Sequence, residues 1–158
     1  MAGIDSYTKS CLHFQNRVWT FAGTAQIDTA QKPFATGGSL LLDGDSDYLA
    51  TANSADFDFG TGDWTIDFWI RRNGTSAYPG IFGAAINGGN GYMISLGNSD
   101  NKVRVVWNAA LKITSTGTVS DTTWTHIAIV RNGNTVTCYI NGVPDGTDDC
   151  TGDNLNLS

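Results

Sequence analysis

Asn-Gly occurs five times in this chain, at Asn73-Gly74, Asn87-Gly88, Asn90-Gly91, Asn132-Gly133 and Asn141-Gly142. The dipeptide supplies the two positive φ angles of a type I′ turn, so each copy marks a candidate hairpin. Short alternating runs lie between these turns. Trp64, Ile66, Phe68 and Ile70 fall on one face of an extended segment, and Thr65, Asp67, Trp69 and Arg71 fall on the other. Trp124, His126, Ala128 and Val130 alternate with Thr125, Ile127 and Ile129, and Val136, Cys138 and Ile140 with Thr137 and Tyr139. Further strands are expected at 39–42, 48–50, 80–84, 91–96, 102–107 and 111–115, with one helical turn within 54–59. Many short strands separated by turn signals predict an all-β, two-sheet antiparallel jelly-roll sandwich. Strands apolar on both faces, such as 64–70 and 126–130, suit central positions in stacked sheets.

Composition narrows the chemistry. All 15 acidic residues are aspartate, and glutamate is absent. That excludes every mechanism needing a glutamate and argues against long helices. A net charge of −6 with only 9 basic residues leaves no surface for nucleic acid. No run approaches the roughly 20 apolar residues of a membrane helix, so no membrane insertion is expected. The opening residues lack a basic start and an apolar stretch, which predicts synthesis in a cytoplasm without a signal peptide. At 158 residues one domain is expected. The three cysteines form no C-x-x-C pair, and Cys138 and Cys150 are open to two readings, a cross-strand disulfide or buried free thiols.

Three segments carry a family resemblance. Ser39-Leu40-Leu41-Leu42-Asp43-Gly44 with Asp47-Tyr48-Leu49 resembles the opening signature of laminin-G-like domains. Phe57 through Ile70 resembles their central strand, and Trp124 through Gly133 followed by Tyr139-Ile140-Asn141-Gly142-Val143 resembles their late hairpin. The resemblance implies a concanavalin A-like jelly roll over 39–158, with 1–38 as an N-terminal strand and irregular lead-in of the same domain. Ala2-Gly3-Ile4-Asp5-Ser6-Tyr7-Thr8-Lys9 and Ala25 through Gln31 resemble bacteriophage versions, which implies a place on the virion surface beside other virion proteins. The family's closing acidic strand has no counterpart here. A first strand at about 10–14 is therefore expected to have an unpaired edge, covered by another copy in a homo-oligomer or by a docked subunit.

The residues support binding more than catalysis. The glucanase branch of the superfamily resembles a retaining glycosidase built on two glutamates, and retaining hydrolysis needs two carboxyl groups about 5–5.5 Å apart. Asp56 and Asp58 are the nearest substitute, and they sit beside a Gly60-Thr61-Gly62 turn. His13 and His126, the two histidines, are expected to be packed, His126 in phase with the core. Asp43, Asp45 and Asp47 alternate as a calcium loop would, although an EF-hand would need Gly where Tyr48 stands and Glu where Ser54 stands. The competing reading is a tight polar turn. Asp145, Asp148, Asp149 and Asp153 are expected in a solvated loop. Sugar-binding sandwiches place aromatic rings under the sugar and polar groups at its hydroxyls. Ligand-binding candidates are Asp67, Trp69, Arg71, Tyr78, Tyr92 and Trp107, with Tyr139 as a further ring. The chain thus reads as a non-catalytic, surface-displayed binding module for glycans or cell-surface polysaccharide, in the manner of a phage decoration or tail-associated adhesion protein. The alternatives are a purely structural decoration subunit and, disfavoured, a glycoside hydrolase.

Overall fold

The computed structural model describes residues 18–74, 79–84, 91–97 and 99–156. They divide between Ser54 and Ala55 into two compact units. In the first unit, β1 (Trp19–Ala22) pairs antiparallel with β4 (Tyr48–Thr51), and β2 (Gln26–Asp28) pairs antiparallel with β3 (Ser39–Leu41). Of these four strands, β3 and β4 were expected from the sequence and β1 and β2 were not. The first strand expected at 10–14 lies outside the described residues, and so does the unpaired edge it was expected to present.

The second unit opens with a 3-10 turn at Ala55–Phe57 and continues through eight strands. These are β5 (Trp64–Ile70), β6 (Gly80–Ala84), β7 (Tyr92–Leu96), β8 (Lys102–Trp107), β9 (Ala110–Thr118), β10 (Thr125–Asn132), β11 (Thr135–Ile140) and β12 (Val143–Asp149). They form two antiparallel four-stranded sheets, ordered β12-β11-β10-β5 and β6-β7-β8-β9. The expected all-β, concanavalin A-like two-sheet sandwich is the fold observed. One core cluster takes Trp64 from β5, Ile127 and Ile129 from β10, and Val136 and Cys138 from β11. Tyr92, Ile94 and Leu96 from β7, Val103, Val105 and Trp107 from β8, and Ile113 from β9 join it, with Val119, Cys150 and Leu155 from outside the strands. Ile66, Phe68 and Ile70 pack against this cluster, so the inward face of β5 is the one its period marked. Each buried aliphatic or aromatic side chain contributes about 1.5–3 kcal/mol.

The turns follow the dihedral chemistry, with two surprises. Asn141 and Gly142 have φ of 51° and 78° and join β11 to β12 by a two-residue turn. At Asn132-Gly133 the turn is shifted by one residue. Asn132 pairs with Thr135, so the loop is Gly133-Asn134, with Gly133 at φ 58°. The β8–β9 hairpin turns on Asn108 and Ala109, both with positive φ (51° and 58°), although neither is glycine.

The acidic segment expected as a solvated loop is a strand. β12 pairs with β11 from Val143↔Ile140 to Asp149↔Thr135 and absorbs an irregularity opposite Cys138. Gly146 sits there at φ 120°, a conformation that only glycine adopts readily. Asp145 accepts the Thr116 and Gly117 N–H groups, each at 2.8 Å, and so clamps β12 to β9 of the other sheet. Cys138 and Cys150 are free and buried. Cys150 lies beside Asn134, whose carbonyl accepts its N–H at 2.8 Å, and not opposite Cys138. The chain returns past Cys150 to form an antiparallel bridge between Leu155 and Gly60.

Candidate functional site

The outward face of the β12-β11-β10-β5 sheet carries the polar and aromatic residues that alternation left over. On β5 these are Thr65, Asp67 and Trp69, with Arg71 continuing the phase beyond the strand end. Register places His126 of β10 opposite Trp69, and Ala128 opposite both Asp67 and Tyr139 of β11. Two cross-strand rows therefore meet on one face.

Trp69 is 42 % exposed, the most open of the five tryptophans that face solvent or core. Its indole lies 5.2 Å from the His126 ring, tilted by 43°. The His126 Nε2 atom is 3.1 Å from Asp67 Oδ2, and the Asp67 side chain remains 60 % exposed. The His126 backbone N–H donates to the Asn141 side-chain oxygen at 2.9 Å, which ties the hairpin turn to this row. An exposed ring is thus held by a neighbouring ring, with a carboxylate beside it whose second oxygen is open to a hydroxyl donor. His126 was expected in phase with the core. The core side of β10 is the other phase, Ile127, Ile129 and Arg131, so His126 belongs to the outer face. The signal was present in the sequence, because Ile127 and Ile129 outweigh Ala128 and Val130 in apolar volume. No Ser, Thr or Cys side chain hydrogen-bonds to the His126 ring among the described residues.

Two expected ring platforms are corrected. Tyr92 and Trp107 are 2 % and 0 % exposed and belong to the core. The Tyr92 ring stacks on Phe82 and meets Phe59, and its hydroxyl donates to the Phe57 carbonyl at 3.2 Å. Burial, with the Asp58 charge, drives its phenol well above the ordinary value. The Trp107 indole N–H donates to Asp153 at 2.7 Å, and Lys112 sits 5.2 Å from the ring centroid. Alternation cannot separate a core ring from a platform when both sheet faces carry aromatics. Tyr78 lies outside the described residues.

The aspartate loop is a hydrogen-bonded turn. Asp47 accepts the Asp43 N–H at 3.0 Å and the Thr24 N–H at 2.6 Å, and Asp43 accepts the Asp45 N–H at 2.8 Å. The Thr24 hydroxyl reaches both carboxylates, at 3.2 Å each. The Asp43 N–H outweighs the opposing effect of burial and, with the Thr24 donors adding to it, holds the Asp47 carboxyl below its ordinary value. These oxygens serve N–H and O–H donors, and no three His, Cys or Asp side chains converge on a common point among the described residues. The second acidic group is structural too. Asp148 and Asp153 approach Lys112 at 3.9 and 3.2 Å, and Asp149 accepts from the Thr151 N–H and hydroxyl.

A laminin-G-type family model, described as concanavalin A-like lectin/glucanases superfamily, matches residues 43–158. No curated protein and no solved structure matches the chain.

Proposed function

Because the chain belongs to the concanavalin A-like lectin/glucanases superfamily, we propose that it is a non-catalytic carbohydrate-binding module whose contact surface is the outward face of the β5–β10–β11 strands. One observation carries this reading: the half-exposed Trp69 indole, braced by His126 and flanked by the open oxygen of Asp67. A pyranose ring stacks on such an indole while its hydroxyls donate to the carboxylate. The absence of glutamate from the sequence argues against the glycosidase branch. Display on a phage particle, as an adhesion or decoration protein, is part of the same proposal and rests on the phage-like segments at 2–9 and 25–31.

The test is a glycan array with purified protein, in calcium and in chelator, repeated with Trp69→Ala. Selective binding that falls about tenfold or more in the variant, or ~1.4 kcal/mol, supports the reading. Equal signals from both proteins would overturn it. Chelator should leave binding unchanged, because the Asp43 and Asp47 carboxylates already serve N–H and O–H donors.

A structural decoration subunit, making protein contacts only, is favoured by one separate observation. Val18, Ile27, Phe34 and Tyr48 of the first unit are 87, 51, 59 and 56 % exposed. Folded protein that binds no glycan on the array but sediments with particles would select that reading.

A further inference from the structure

We propose that the Trp69 surface selects saccharides bearing a carboxylate, with Arg71 as the group that reads the charge; this rests on the carbohydrate-binding reading above. Four arginines lie among the described residues, and three are committed. Arg72 is buried, donates to the Gly74 carbonyl at 2.8 Å and lies 3.6 Å from Asp121. Arg104 pairs with Asp100 at 2.9 Å. Arg131 donates to four backbone carbonyls. Arg71 alone makes no hydrogen bond or ion pair among the described residues, in a chain with a net charge of −6 and 15 aspartates to choose from.

Its place in the strand phase gives a meaning to a guanidinium that pairs with none of the described residues. Arg72 is buried and follows Phe68 and Ile70 in the alternation, so by the same alternation Arg71 falls in the outward phase of Asp67 and Trp69. Successive outward residues stand roughly 7 Å apart along a strand. Trp69 is therefore flanked by a cation on one side and, on the other, by a carboxylate that His126 holds at 3.1 Å. A ring stacked on the indole would meet a hydroxyl acceptor at one edge and a planar, bidentate donor at the other. A hexuronate has that polarity, with hydroxyls on one edge and a carboxylate on the opposite one. Asp67 would repel an acid bound in the reverse direction, so the pair also sets orientation.

The experiment is calorimetric titration of the whole protein with tetragalacturonate, with its carboxyl-reduced neutral counterpart, and with a sulfated oligosaccharide of similar length. Each is run on the wild type, Arg71→Gln, Arg71→Lys and Trp69→Ala. The uronate should bind the wild type about tenfold more tightly than its neutral counterpart. Arg71→Gln should erase that difference, and Arg71→Lys should recover only part of it. Salt should weaken the uronate and not the neutral sugar. Equal affinities for the two wild-type ligands, or an uronate preference that survives Arg71→Gln, would overturn the inference and leave the carbohydrate-binding reading standing. A preference for the sulfated ligand that depends on Arg71 would overturn the assignment to carboxylate. No Trp69-dependent binding of any of the three would overturn both.

Discussion

Arg131 lends itself to a quantitative test, because it is a buried cation whose partners are all backbone carbonyls. The residue is 3 % exposed. Its Nε donates to Gly133 at 3.1 Å, Nη1 to Gly60 and Asp153 at 3.3 and 2.8 Å, and Nη2 to Cys150 at 3.2 Å. It thereby fastens the returning tail to β10 and to the segment before β5. Arg131→Met keeps the apolar stem and removes the donors. Counting about 1.5–3 kcal/mol for each of four charge-assisted bonds would overshoot. The Gly60 carbonyl also accepts the Leu155 N–H and the Cys150 carbonyl the Asp153 N–H, both at 3.0 Å, so those two are not orphaned. The carbonyls of Asp153 and Gly133 lose their strong donors, at about 1–3 kcal/mol each. Relief from burying a charge offsets part of this. The expected net loss is about 3 kcal/mol, read as a lower urea midpoint with an unchanged slope and a Tm lower by roughly 10 °C. Hydrogen exchange adds a local readout: the Leu155 amide should lose protection before that of Ile129. A variant within about 0.5 kcal/mol of the wild type, with Leu155 still protected, would refute the reasoning.

Other consequences are as direct. Ala109 occupies a left-handed conformation at φ 58° that glycine adopts without a steric penalty, so Ala109→Gly should stabilise the β8–β9 hairpin by about 0.5–1 kcal/mol, measured by chemical denaturation. Burial alone would raise the Asp153 carboxyl, but the Trp107 hydrogen bond and Lys112 outweigh it and hold the group below the ordinary 3.8. A carboxyl depressed in the folded state lends stability that is complete above the unfolded value and is lost as pH falls through the folded one. Asp153→Asn should therefore be less stable than the wild type at neutral pH and should lose less stability below about pH 4. Burial, with the Asp145 charge, pushes the Cys138 thiol up to about 12, so alkylating reagents at pH 8 should leave Cys138 unmodified in native protein and label it after denaturation, by peptide mass.

How much of this was legible beforehand differs by residue. Alternation in 64–70, the Asn141-Gly142 turn and the strands at 80–84 and 102–107 are local properties, set by side-chain period and φ preference, and the structure has them where the sequence puts them. The family resemblance and the all-β sandwich follow from the same local patterns. Which of two apolar faces is covered is not local. Tyr92, Trp107 and Trp69 are all aromatic residues on alternating strands, yet only Trp69 reaches solvent, because the facing sheet takes the first two into its core. His126 changed sides for the same reason. The aspartates make the point most sharply. Asp145 clamps β9, Asp153 holds the Trp107 indole, and Asp47 caps its own turn. A run of acids shows only that oxygen acceptors are present. What they accept is decided by N–H groups brought from elsewhere in the chain, and that is a property of the folded arrangement alone.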